Sequence, residues 1–242
     1  MATKLYDLTQ PLSVLTPAWP TYEPLQLKFF KRLCPNGANG QLITTSNHVG
    51  THIDGSLHFC THGRDIASIP LEDLYGEAVV VDLSDISRDY GIYTSKDITD
   101  RVEVKERDIL IINTGYHRYA WDQPEADETR YMVMHPGPTK EFTEWCLKMK
   151  FKWLGVDCGS ADHPLNTKIR DWMPQHAKNG DKALKEMYGK GLDELFPPED
   201  YQQMHIALFP FDIIHAENLG GDIDKLLNRR VTIGCFPWRF VG

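Results

Sequence analysis

The sequence predicts an α+β or mixed α/β protein, and three observations carry that prediction. Three short apolar runs, at residues 77–83, 107–113 and 153–157, have the length and β-branched content of strands buried on both faces. One stretch, residues 139–149, repeats its apolar residues at helical spacing, with Phe142, Trp145, Cys146 and Met149 along one face. The remaining apolar segments are short and bounded by Gly, Pro and Asn, so strands outnumber helices.

Taken in order, residues 4–12 read as a first strand closed by Pro11, followed by a stiff loop from Pro17 to Pro24 that carries Trp19 and Tyr22. On pattern alone Trp19 reads as a core plug, with a substrate wall as the alternative. Residues 25–33 form a strand ending at the turn Cys34-Pro35-Asn36-Gly37, and residues 41–46 form the strand that delivers a histidine-rich segment. Residues 94–98 open a short helix between the first two buried runs. Asn113-Thr114-Gly115-Tyr116 is expected to form a loop near a site. His135-Pro136-Gly137-Pro138 leads into the 139–149 helix, and the 153–157 run completes a β-α-β-like unit. The turn Cys158 to Pro164, directly after Asp157, carries Asp162 and His163, so two acids and a histidine lie close together. Residues 165–200 are polar and are expected to form a lid or interface excursion within a single unit spanning 1–242. Residues 203–211 return to strand character, residues 222–227 form a short helix and residues 231–236 a last strand.

A formal net charge of −8 argues against a nucleic-acid surface or an anionic membrane as the main partner. The five cysteines are scattered and form no C-x-x-C pair, which points away from a disulfide framework and toward a reducing compartment. Residues 1–7 hold no apolar signal-peptide region, and no apolar run approaches the ~20 residues of a membrane span. A cytoplasmic protein is expected.

The chemistry is concentrated in Asn47 to Phe59, where His48, His52, Asp54 and His58 all fall at even positions. In an extended chain they point to one side. A helix would turn Asp54 about 200° away from His52. A straight strand would hold His48 and His58 about 33 Å apart, so the chain must bend, and Gly50 and Gly55 are where it can. Imidazoles with a carboxylate suit Zn²⁺, Mn²⁺ or Fe²⁺. A bound divalent ion lowers the pKa of its water toward ~7 and polarises a carbonyl, which supports hydrolysis without an activated serine or cysteine. Neither G-x-S-x-G, Walker A nor G-x-G-x-x-G is present to compete. His52 and Asp54 with a distant His205 or His215 would also make the two-histidine, one-carboxylate triad of a non-haem iron oxygenase, and a metal-stabilised module without catalysis is a third reading.

The pattern His48-x-x-x-His52-x-Asp54-x-x-x-His58 resembles the signature of the metal-dependent cyclase-family hydrolases, which include bacterial kynurenine formamidase and isatin hydrolase. The resemblance extends over Asp7-Leu8-Thr9, Trp19-Pro20, residues 76–83, 108–116, His135-Pro136-Gly137, Gly155-Val156-Asp157, His205 and Glu217-Asn218-Leu219. It implies a swivelling β/β/α fold with a mixed sheet and flanking helices, and a homodimer or higher oligomer. It implies one or two divalent ions, Zn²⁺ or Mn²⁺. His48, His52 and Asp54 would hold the first, with Glu217 in reach, and Asp54, His205 and Glu217 the second. His58 would move the proton, and Trp19 would line the pocket. The implied substrate is a small carbonyl compound, an arylformamide- or isatin-like amide, with lactones and esters as the alternative. His163 and His215 are further candidates for metal or substrate contact, with a structural role or support of the ligands as the favoured reading, and His62, His117, His135 and His176 carry no assigned role.

Overall fold

The computed structural model describes residues 3–242, so the first two residues of the stretch read for a signal peptide lie outside the described part. Near the N-terminus β1 (Gln26–Lys31) and β2 (Gly40–Thr44) form an antiparallel ribbon. The main sheet has six strands: β3 (His52–Asp54), β4 (Tyr75–Asp82), β6 (Ile109–Asn113), β8 (Trp153–Val156), β9 (Ile214–Glu217) and β10 (Arg229–Gly234). The two-residue strands β5 (Ile92–Tyr93) and β7 (Gly137–Pro138) pair with each other apart from it. The spatial order is β10-β4-β6-β8-β9-β3, with β4, β6, β8 and β9 parallel and the two edge strands antiparallel.

Alternation along the central strands builds two apolar layers. Val81, Leu110, Ile112, Leu154 and Val156 face one side, where Phe142 and Cys146 of the helix Lys140–Met149 and Leu184 of the helix Pro174–Tyr188 cover them. Ala78, Val80, Ile109, Ile111 and Trp153 face the other, together with Ile214, Ala216, Leu219 and Ile223. The three apolar runs are therefore central strands, as their composition predicts. The architecture is mixed α/β with a mixed sheet and flanking helices.

Three element assignments are corrected. Residues 4–12 are extended but pair in no strand. Their backbone instead serves the turn after β9, with Gly220 N–H donating to the Leu8 carbonyl and Asp222 N–H to the Asp7 carbonyl. Residues 203–211 form a short helix, Gln203–Ile206, and a 3₁₀ turn, Phe209–Phe211. Their alternation of large apolar residues reflects separate anchors, Met204, Leu208 and Phe209, in a coiled path. The strand β2 pairs with β1 and ends at Thr44, so the histidine segment enters through a bend and forms its own strand in a different sheet. The polar stretch 165–200 is mostly helical, and no helix among the described residues is long and apolar enough to cross a membrane.

The loop after β6 does not reach the histidine cluster. It closes on Asp157, which follows β8. Asp157 accepts hydrogen bonds from Thr114 N–H at 2.7 Å, Thr114 Oγ1 at 2.6 Å and Gly115 N–H at 2.8 Å, and it pairs with His117 Nδ1 at 2.9 Å. His117 Nε2 faces Asp224 at 3.2 Å. Burial opposes protonation of His117, but Asp157 and Asp224 outweigh it and raise the ring to about 9.

Because that value lies above the ordinary 6.5, the pair's stabilisation is complete below about pH 6.5 and is lost as pH rises through about 9. His117→Gln is thus expected to lower unfolding free energy by on the order of 3 kcal/mol at pH 6 and far less at pH 10. Urea unfolding at both pH values checks this, and an equal effect at each would remove His117 titration as the cause. Gly137 gives a second expectation. A Cβ there would collide with the His163 backbone, so Gly137→Ala should cost about 1–3 kcal/mol and lower the melting temperature by several degrees. An unchanged melting temperature would refute this packing argument.

Candidate metal centre

The site is built from one strand pairing. β3 runs antiparallel to β9 with His52 opposite Glu217, Ile53 opposite Ala216 and Asp54 opposite His215. Directly opposed residues share a face, so His52, Asp54, His215 and Glu217 crowd one side while Ile53 and Ala216 enter the apolar layer on the other.

The flanking turns bring in the rest. Gly50 adopts a φ of 64° where the chain bends into β3, and a Cβ at that position would collide with Leu12. Thr51 fixes the entry: its hydroxyl donates to the Asn218 carbonyl at 2.6 Å and accepts from Gln10 N–H at 2.9 Å. His48 lies just before this bend, its carbonyl accepting from Trp19 N–H at 3.3 Å. After β3 the one-turn 3₁₀ helix Ser56–His58 folds the chain back, held by Ser56 Oγ donating to Asp212 at 2.7 Å. His205 comes from the helix Gln203–Ile206. The bend expected from the sequence is present, although Gly55 has an ordinary extended backbone.

Asp54 is the hub. Its Oδ1 lies 3.0 Å from His48 Nδ1 and 3.3 Å from His52 Nε2, and its Oδ2 lies 3.5 Å from His205 Nε2. Glu217 lies 3.8 Å from His52 Nε2 and 3.7 Å from His205 Nε2. The His58 ring stands 4.4 Å from that of His48 and 6.0 Å from that of His205, centre to centre. All six predicted donors and proton carriers therefore converge.

Neighbouring groups orient these side chains. His52 Nδ1 pairs with the Gly50 carbonyl at 2.8 Å, which turns Nε2 toward the two carboxylates. Asp162 holds His205 Nδ1 at 2.6 Å and itself accepts from Met204 N–H at 3.0 Å. Glu217 accepts from Ala161 N–H at 2.7 Å and from the Ser160 hydroxyl at 3.4 Å.

Electrostatics divide the two buried carboxylates. Burial disfavours charge on both. The surrounding imidazoles, His52 first, nevertheless hold Asp54 well below the usual carboxylate range. On Glu217 burial and the Asp54 charge win, and its pKa is raised. Burial also opposes charge on His52 and His205, yet the carboxylates carry them to about 9 and about 10. Protons here occupy a region that strongly favours positive charge. His58, at the pocket wall, moves the opposite way: burial and the neighbouring imidazoles press it down to about 4.

The residues fit a divalent cation. The sets His48/Asp54/His58, His52/Asp54/Glu217 and His205/His215/Glu217 each bring three ligand atoms within 4.8 Å of one another, and His52 Nε2 is buried without a hydrogen-bond partner. Above the cluster opens a pocket of about 300 Å³ walled by Trp19, Tyr22, Phe59, Trp172 and Tyr201, with Lys168 at its edge.

Trp19 lines the pocket and also packs against the core. His163 lies elsewhere, pairing with the Tyr90 carbonyl at 3.1 Å and stacked on Phe196. Sequence reasoning set Tyr22 beside Trp19 on the stiff loop without a role, and it missed Asp162, Lys168, Trp172 and Tyr201. For Asp162 the signal was its place in the acidic turn after β8; for the others nothing local marks them.

The chain is 27% identical over 212 residues to the kynurenine formamidase of Geobacillus thermodenitrificans, covering 87% of this chain and 91% of that protein. It is 28% identical over 206 residues to the kynurenine formamidase of Erythrobacter litoralis, covering 85% and 87%. The solved structure of isatin hydrolase A from Ralstonia solanacearum has the same fold, with a TM-score of 0.73 at 18% identity over 98% of this chain and 86% of that one. The Cyclase family model matches residues 6–163, and the chain belongs to the Cyclase family.

Proposed function

We propose that this protein is a metal-dependent hydrolase that cleaves the C–N bond of a small N-acyl or cyclic amide of the arylformamide or isatin type. The observation that carries the reading is the register of β3 on β9, which sets His52 and Asp54 beside Glu217 at the base of an aromatic-walled pocket. The near full-length similarity to two kynurenine formamidases supports the amide.

In this reading His48, His52 and Asp54 hold a first ion with Glu217 in reach, and Asp54, His205 and Glu217 hold a second, of Zn²⁺ or Mn²⁺ type. A divalent ion in such a site supplies Lewis acidity, activating water and polarising the carbonyl. The chain's own residues do the rest. Gly50 O and Asp162 fix the His52 and His205 rings so that each presents Nε2 to the carboxylates. His58 is neutral near pH 7 and faces the pocket, so it takes a proton from the attacking water and returns it to the leaving nitrogen. Trp19 and Trp172 hold an aromatic substrate and exclude water. Lactones and esters present the same carbonyl to the same groups and are the second reading. The oxygenase triad would leave His48, His58 and Glu217, which stand in the same cluster, without a role.

The apolar ribbon supports an oligomer. Leu27, Phe29, Phe30, Leu42 and Ile43 are exposed on both faces of β1–β2, and an isolated two-stranded ribbon is marginal in water. Light scattering is expected to give a homodimer or larger; a monomer at micromolar concentration would end that reading.

His58→Ala is expected to keep its bound metal by elemental analysis and lose about 10²–10⁴-fold in kcat, measured on formyl-anilides, isatins, lactones and esters side by side. Undiminished turnover would rule out the proton-carrying role. Glu217→Ala should instead lose metal and activity together. Chelation should abolish hydrolysis and added Zn²⁺ or Mn²⁺ restore it; activity that survives metal removal would refute metal dependence. Turnover should also persist without oxygen or 2-oxoglutarate.

A further inference from the structure

His215 has no part in the scheme above, yet its surroundings are hard to explain as packing. It lies on β9 opposite Asp54 and two residues before Glu217, on the same face as both. Its side chain is fully buried, and neither ring nitrogen has a hydrogen-bond partner. The Met204 carbonyl lies beside the ring without hydrogen-bond geometry. The neighbours are His205, edge-on at 4.9 Å between ring centres, and Phe209 at 4.8 Å. Leaving a buried polar group unmatched opposes folding, because its lost hydration is not replaced. A leucine or phenylalanine would fill the same space against Phe209 without that cost. The imidazole therefore calls for a partner that the protein's own groups do not provide.

A ligand atom of His215 lies within 4.8 Å of ligand atoms of both His205 and Glu217. His205 has its Nδ1 taken by Asp162, so its Nε2 is the nitrogen turned to the carboxylates. Two imidazoles and a carboxylate are a sufficient protein donor set for a divalent ion with an open position.

We propose that His215 is itself a metal ligand, and that with His205 and Glu217 it forms the buried half of the centre as a His-His-Glu site for a divalent cation of the Zn²⁺ or Mn²⁺ class. The inference rests on the metal-dependent reading above but assigns a residue that reading does not use. It also predicts that the buried ion depends on β9 and the 203–206 helix more than on β3.

The test uses the full chain, stripped of metal and titrated with Co²⁺, comparing wild type with His215→Phe and His215→Gln. Bound equivalents, affinity and the visible d–d spectrum are read, with melting temperature as the folding control. Loss of one equivalent, or about 10–100-fold weakening of it with an altered spectrum while the other ion stays bound, is the expected result. Equivalents, affinity and spectrum unchanged in either folded variant would make His215 a packing residue and overturn the proposal. His215→Gln keeps a polar side chain and serves if His215→Phe does not fold. Wild-type protein that binds no divalent cation would overturn the metal-dependent reading as well, so the two failures are distinguishable.

Discussion

The pairing of β3 with β9 is the constraint on which the rest of the site depends. β3 is three residues long and lies at the sheet edge, so little backbone hydrogen bonding holds it. A slip of one residue would turn His52 and Asp54 into the apolar layer and push Ile53 into the pocket. Side chains outside the strand prevent this. Thr51 ties the entry to the turn after β9 and to the N-terminal segment, while Ser56 ties the exit to Asp212. Ile53 and Ala216, packed in the second apolar layer, fix which face is which.

That pairing brings two buried carboxylates to one point, an arrangement that opposes folding unless compensated. Charge in a desolvated site is stable only when paired and hydrogen-bonded. Asp54 meets the need with three imidazoles. Glu217 relies on Ala161 N–H and Ser160, and its raised pKa shows that compensation is less complete there. The loop after β8 supplies these donors and also Asp162, so the end of one central strand tunes ligands carried by two other elements. The same concentration of negative potential that burdens the metal-free fold would favour a divalent cation, which would displace protons from His52 and His205, whose pKa values that potential raises to about 9 and about 10.

How much of this was legible in the sequence follows the range of each interaction. Local periodicity marked the central strands and the 140–149 helix, since burial on both faces or along one stripe leaves a pattern within ten residues. The even spacing of His48, His52, Asp54 and His58 announced a shared side and a bend. Residues 4–12 carry the alternation of a strand, but their hydrogen bonds go to the turn at 220–222 and no local rule reveals that. Asp162 was visible as a residue of the acidic turn and His215 as a candidate contact, but their places depend on the register of β9 and on the path of residues 203–206. His205 and Glu217 entered only through family resemblance, for the same reason.

The 165–200 stretch shows what polar composition conceals. Its exposed helix faces carry the charges, yet Leu165, Ile169, Leu184, Leu192 and Phe196 are buried in the main core. Arg170 pins its two ends together by donating to the Leu165 carbonyl at 2.8 Å and the Phe196 carbonyl at 2.8 Å. Gly180 lets its long helix lie directly on Leu165 and Tyr90, where a side chain would intrude. Thr167, Lys168 and Trp172 reach the pocket from this anchored segment, and Tyr201 from the residue that follows it. The histidine–carboxylate side of the cavity is thus set by the sheet, and part of its aromatic wall by a segment with its own attachment to the core. Under the proposed hydrolase reading, such a division lets that wall change shape without disturbing β3 and β9, so selectivity among carbonyl compounds can vary while the chemistry stays fixed.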